Sequence, residues 1–329
     1  MFAINAPLRS HEDVERLVLA GADSFYCGLN DAAGTSGGGG LNQRQSDRSS
    51  FSGIADLQRA VTLAHKLGRE VFIAINTRLL TDTYVDRFTR QLDIAADLGL
   101  DAVIVGSMNG LMIARERHPE MKLAGSVGLG VLNSRSARFW ADLGVYRVIV
   151  SRHLTPREIA MVCDGAPDVE VEAFLMNGKC GNFDSMCGYD YYDPAGAMAN
   201  FTGCVFVADR NVTRYRRYAC GACALSDFGT RPNFAAAKII GRDFDVESVT
   251  KATELTFKVR AALFSGMPAP EFREFSMAAY RDVYGRPCER NCHYPDEGFP
   301  GGGDAFTASA GDEGCSSCEG CDGCGGGTW

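Results

Sequence analysis

Residues 17–29, LVLAGADSFYCGL, read as the end of an amphipathic helix, a glycine, and then a short apolar strand. The phrase returns as LAHKLGREVFIAI at 63–75, AADLGLDAVIVG at 95–106 and WADLGVYRVIVS at 140–151. Gly21, Gly68, Gly99 and Gly144 stand where a helix ends in a left-handed residue, which glycine adopts without a β-carbon clash. The runs after them (Ser24 to Leu29, Val71 to Asn76, Ala102 to Gly106, Arg147 to Ser151) lack clean apolar–polar alternation. Parallel strands covered on both faces look like that.

Working outward, Phe2 to Asn5, Lys122 to Ser126, Val169 to Leu175 and Ala236 to Ile240 supply four more strands. Helix starts punctuate the intervals: Ser10 with Asp13, Asp82 before TYVDRFTRQLDIAA, and Thr155 before PREIAMVC with proline in the first turn. A long helix from about Val246 to Phe264 closes the eighth unit. Eight strand-then-helix units predict a (β/α)8 TIM-type barrel over residues 1–286. A doubly wound open sheet is the competing architecture. In both, chemistry belongs in loops after the C-terminal ends of strands.

Two such loops are long: residues 30–52, with four consecutive glycines at 37–40, and residues 176–235 after strand seven. No GK[ST] follows the glycines, so they are read as the hinge of a lid and not as a phosphate loop. From residue 287 to 329 the chain is rich in Gly, Asp, Ser and Cys, and is expected to be a flexible, metal-binding tail.

Hydrophobic residues make up 46% of the 329 and charged residues 22%, ordinary for a globular protein with a large core. A formal charge of −8 does not draw the chain toward phosphate backbones, so RNA is not expected as a partner. The one concentrated basic run is Arg210, Arg214, Arg216 and Arg217. No export signal or apolar membrane span is visible, which points to the cytoplasm and away from membranes. In that compartment the 13 cysteines read as metal ligands and not as disulfides.

Five of them, Cys180, Cys187, Cys204, Cys220 and Cys223, lie in the seventh loop. Gathered thiolates need a counter-charge, which a metal supplies. Their wide spacings suit an Fe–S cluster on four thiolates better than a zinc ribbon, zinc and buried apolar cysteines being the alternatives. Cys27 and Cys163, on a strand and a helix, read as core. Cys315, Cys318, Cys321 and Cys324 stand at strict C-x2-C spacing in the tail, where Cys288, Cys292 and His293 could join them. That spacing points to a second Fe–S or a zinc site.

Glu172-Ala-Phe174, then Cys180 and Cys187 seven residues on, resembles the signature of the U32 peptidase-like family. CALSDF (223–228) and AAKIIGRDF (236–244) are similar to its later segments. AGADSFYCGL and LNQRQSDRSSFS resemble its first barrel loops. The resemblance implies a 4Fe–4S cluster on Cys180, Cys187, Cys204 and one later cysteine, Cys223 by context or Cys220. It further implies an oxygen-independent hydroxylase, or a subunit of one paired with a homologous chain. Its expected acceptor is an aromatic or quinone-like small molecule and its donor one such as prephenate. A non-catalytic Fe–S partner protein and an RNA-base hydroxylase are the other readings. No Ser/His/Asp set, HExxH motif or Cys/His pairing supports proteolysis.

For such chemistry Asn42, Arg44 and Asn76 are candidates to bind substrate carboxylates, arginine offering a two-pronged fork. His153 is a candidate proton donor. Glu172, if it faces the barrel interior, is expected to have a raised pKa suited to acid–base work.

Overall fold

The computed structural model describes residues 1–30, 41–42, 49–78, 80–179, 184–186 and 218–294. Eight parallel strands close on themselves in sequence order: β1 (Ala3–Pro7), β2 (Ser24–Cys27), β3 (Glu70–Ile75), β4 (Ala102–Val105), β5 (Leu123–Gly125), β6 (Val145–Ile149), β7 (Glu170–Met176) and β8 (Phe234–Ile239). Closure by β1 on β8, with Asn5 opposite Lys238, excludes the open sheet.

Six helices alternate with the first seven strands: α1 (Val14–Leu19), α2 (Ile54–Lys66), α3 (Asp82–Asp97), α4 (Met108–Arg117), α5 (Ser134–Asp142) and α6 (Pro156–Gly165). A single short turn, α7 (Leu225–Phe228), precedes β8, and α8 (Val246–Phe264) and α9 (Ala269–Tyr284) follow it. The four repeat glycines have φ of +104°, +69°, +68° and +90°, the left-handed stop their positions require. Thr155 and Glu158 form a reciprocal capping box at the start of α6.

Alternation along each strand separates two cores. Outward residues such as Phe25, Ile73, Val103 and Val171 pack under the helices. Inward residues Tyr26, Phe72, Ala74, Ile104, Ile149, Phe174 and Ile240 fill the lumen. Cys27 and Cys163 belong to the outer core, as expected.

The first compact unit runs from Met1 to Tyr294, and a second covers Pro295–Trp329, outside the described residues. Residues 287–294, grouped with the tail on composition, therefore belong with the barrel. Their composition misleads because two residues do the burying: His293 and Tyr294, the latter 4% exposed with its hydroxyl donating to the Phe174 carbonyl. Among the described residues, no helix is long and apolar enough to cross a membrane.

Candidate functional site

Glu172 does face the lumen, and it is 1% exposed. Its carboxylate accepts from Lys238 Nζ at 2.6 Å, from Asn5 Nδ2 at 3.2 and 3.3 Å, and from Arg147 Nη1 at 3.5 Å. Lys238 Nζ also lies 3.7 Å from the centre of the Tyr26 ring. Burial alone would push the Glu172 pKa up, but Lys238 and Arg147 outweigh it and hold the carboxyl below its ordinary value. This corrects the expected raised pKa. Glu172 is an ionised member of a satisfied charge network, because strands β8 and β6 deliver two cations to it.

Two residues further along β7 the surroundings change. After Met176 the chain turns through Asn177 and Gly178, both left-handed at φ +66° and +52°. Asn177 Nδ2 donates to the Ile240 carbonyl at 3.1 Å, locking the turn onto the end of β8. Arg152, just beyond β6, then grips the loop on both sides. Its Nη1 donates to Gly178 O at 2.7 Å, and its Nε to both Asp184 oxygens at 3.1 Å, beside an ion pair from Nη2. The guanidinium lies 4.8 Å from the centre of the Phe174 ring, which closes the lumen below it. Arg78 Nη1 donates to Asp184 O at 3.1 Å from a second side. Gly178 comes two positions before Cys180, and Asp184 three before Cys187. The sequence pointed to neither arginine, since nothing local marks them.

His293 is fully buried beside this turn, its ring 6.5 Å from Phe174. The ring lies against the Asn177 main chain, with neither nitrogen in a hydrogen bond of normal geometry. Burial first, then the charges of Arg152 and Lys179, lower its pKa to about 3, so the imidazole is neutral. Lys179 donates from Nζ to the Cys292 carbonyl at 3.1 Å.

The remaining predicted residues are scattered around the same end of the barrel. Asn42 is buried and donates from Nδ2 to Ser50 Oγ at 3.0 Å and Leu29 O at 3.4 Å, while its own carbonyl accepts from Arg242 at 2.8 Å. It ties the second loop to the ends of β2 and β8. Asn76, at the end of β3, donates to Ser126 Oγ at 3.1 Å. His153 is exposed on the rim, its Nδ1 3.3 Å from Ser151 Oγ. Arg44, Cys180, Cys187, Cys204, Cys315, Cys318, Cys321 and Cys324 lie outside the described residues. Cys220 and Cys223 are described. Cys220 pairs through its backbone with Met176 on one side and Cys292 on the other.

Among the described residues no three His, Cys, Asp or Glu side chains are already drawn around one point. The donor set nonetheless fits an Fe–S cluster in kind. The cysteine loop leaves β7 at the mouth, and its first residues are held by Arg152 at the Gly178 main chain and the Asp184 carboxylate.

A closed parallel barrel with polar and thiol groups at the C-terminal ends of its strands defines a barrel protein whose chemistry sits at that mouth. The chain belongs to peptidase family U32, whose family model matches residues 9–207, more than half of its length.

It is 31% identical over 132 residues to tRNA hydroxylation protein P of Escherichia coli (strain K12), covering 40% of this chain and 29% of that protein. It is 27% identical over 199 residues to the 23S rRNA 5-hydroxycytidine C2501 synthase of the same strain, covering 60% and 28%. A solved U32 peptidase covers 73% of this chain and 92% of its own, with 14% identity and a TM-score of 0.48. The chain thus spans less than a third of the length of these two curated relatives. Relatives named for tRNA and rRNA hydroxylation overturn the expectation that RNA is not a partner. Net charge misled because it averages the whole surface, whereas phosphate contact needs only a local basic patch.

Proposed function

We propose that the chain is an iron–sulfur-dependent hydroxylase that oxidises an RNA base without molecular oxygen. This replaces the aromatic or quinone-like small molecule as acceptor. The observation that carries it is the Arg152 grip on the start of the cysteine loop, at Gly178 and Asp184 to either side of Cys180 in the sequence. The names of the relatives support the reaction class and the RNA substrate.

Cys180, Cys187, Cys204 and one later cysteine, Cys223 or Cys220, would hold the cluster, which when bound supplies a redox-active, Lewis-acidic iron site. The chain's own groups do the rest. Arg152 and Asp184 fix the loop that carries the ligands. Phe174 seals the lumen beneath the mouth, and Lys179 adds positive charge beside it. His153 is the exposed rim group able to move a proton, a role that Glu172, ionised and paired, does not fill. Arg210, Arg214, Arg216 and Arg217 follow Cys204 and provide phosphate-binding charge. A donor such as prephenate, with its carboxylates, suits an arginine-lined rim. The target base must leave its stack to reach such a mouth.

The test is nucleoside mass spectrometry of tRNA and rRNA from cells with the gene intact, deleted, or carrying Cys180→Ala. One nucleoside should lose an oxygen atom's mass in both altered strains. Identical nucleoside profiles in all three would contradict the proposal.

A further inference from the structure

We propose that the outer face of α5, with the first turn of α6, is a docking surface for RNA phosphates flanking the base that enters the mouth. The proposal rests on the RNA reading above and says where that RNA is held. Residues 121–157 carry six Lys or Arg and one acidic residue, Asp142, a net charge of +5 in a chain of net −8. Two of the six are engaged inside the barrel, Arg147 with Glu170 and Glu172, and Arg152 with Asp184. Arg135, Arg138 and Arg157 are exposed, and among the described residues none of their side chains makes an ion pair or hydrogen bond. Elsewhere on the surface Arg59, Arg117, Arg231 and Arg286 each pair with a carboxylate.

Helical spacing gathers the groups. Arg135, Arg138 and Phe139 stand at i, i+3 and i+4, on one face of α5. Phe139 is 51% exposed, with its ring edge-on to Trp140 at 5.2 Å. Guanidinium groups suit phosphate oxygens, and an open aromatic ring among them suits an unstacked base. Helix α5 packs against α6, where Arg157 follows the rim residue His153 by four positions. The carboxylates of these helices leave the arginines to an outside anion. Glu158 is taken up in the Thr155 capping box, Asp164 pairs with Arg231, and Asp142 makes no ion pair with Arg138.

This flank is continuous with the mouth. Ser151 N donates to Val131 O at 3.1 Å, which ties the chain entering α5 to the end of β6. Gly130, left-handed at φ +70°, touches the cysteine loop: a β-carbon there would lie 2.9 Å from Ser185 Cβ. A strand with one base in the mouth therefore carries its neighbouring phosphates onto the arginines. The surface also supplies the local positive charge that the overall balance of the chain conceals.

The test is fluorescence-anisotropy titration of the full-length protein with labelled total tRNA and fragmented rRNA across a salt series. A triple variant, Arg135, Arg138 and Arg157 all to Gln, should bind at least about tenfold more weakly at about 0.1 M salt, with a log–log salt slope smaller by about 2 to 3. Phe139→Ala should weaken binding at least about fivefold and leave the slope as it was, because stacking releases no counterions. Lys258→Ala, an exposed cation on α8, should change neither. Circular dichroism verifies that each variant is folded. Parent-like affinity and slope in the triple variant overturn this surface and leave the RNA reading standing. Parent protein that binds neither RNA sinks both. Self-association lost in Phe139→Ala with RNA binding intact assigns the face to a second copy and overturns the proposal. Binding through the arginines, with nucleoside profiles unchanged on deletion of the gene, would sink the hydroxylase reading and leave this surface standing.

Discussion

Glu172 and Phe174 face the same lumen two positions apart on β7, yet they open onto different chemistry. Below, the Glu172 carboxylate is compensated by Lys238, Arg147 and Asn5 Nδ2 in a buried network. Above, at the mouth, the neutral imidazole of His293 is buried beside a turn that Arg152 ties to Asp184. Burial is common to both regions, so burial does not mark a site. What differs is the use of charge: the floor's ions compensate one another between strands, while the mouth's arginine holds a loop. The floor reads as architecture and the mouth as function.

The largest effect should come from breaking the floor. Glu172→Gln leaves the buried Lys238 without its counter-charge and Arg147 with Glu170 alone, and should cost about 3–5 kcal/mol in denaturant unfolding. The pH dependence has a defined sign. The folded pKa of Glu172 lies below its ordinary 4.5. On acidification below that value the unfolded chain takes up a proton that the folded one resists, so stability falls as pH drops through that window. The Gln variant should lack that part of the acid slope. An unchanged slope would place Glu172 outside the network.

Shortening the chain sharpens the boundary between barrel and tail. Ending it after Tyr294 should leave stability unchanged, whereas ending it after Pro287 removes a fully buried His and Tyr. The Tyr294 side chain alone should cost roughly 2–3 kcal/mol, read as a lower melting temperature. Equal stability of the two truncations would return residues 288–294 to the tail.

Arg152→Ala tests the mouth itself. Loss of its charge-assisted bonds to Asp184 and Gly178 should cost about 2 kcal/mol. The cluster should bind with lower occupancy while the barrel stays folded. Arg152→Lys should rescue little of that occupancy, because Lys keeps the charge and loses the fork. Smallest is Cys163→Ala in the outer core. Its thiol is pushed up to about 12 by burial, as a packed apolar group would be, and the loss should be about 1 kcal/mol with metal content untouched.

Much of the barrel was readable because each unit carries its own punctuation. The glycines before β2, β3, β4 and β6, and the Thr155–Glu158 box, are local signals that tertiary context did not override. The site was less readable. That Glu172 lies on an inward strand position is a local fact. That Lys238, 66 positions on, and Arg147, 25 back, neutralise it is not, and this is why its pKa moves down and not up. Arg152 stands 26 positions before Gly178 and 32 before Asp184, and announces nothing in its own sequence. Residues 287–294 look like tail because charged and small residues outnumber the two that are buried.

Iron and acid-labile sulfide analysis of anaerobically purified full-length protein, beside its Cys180→Ala and Cys163→Ala variants, tests the central claim most directly. The account predicts about four irons with matching sulfide at the barrel site, as for a cubane cluster. It predicts their loss in Cys180→Ala and their retention in Cys163→Ala. Iron and sulfide that survive Cys180→Ala, or protein that carries zinc and no sulfide, would contradict it.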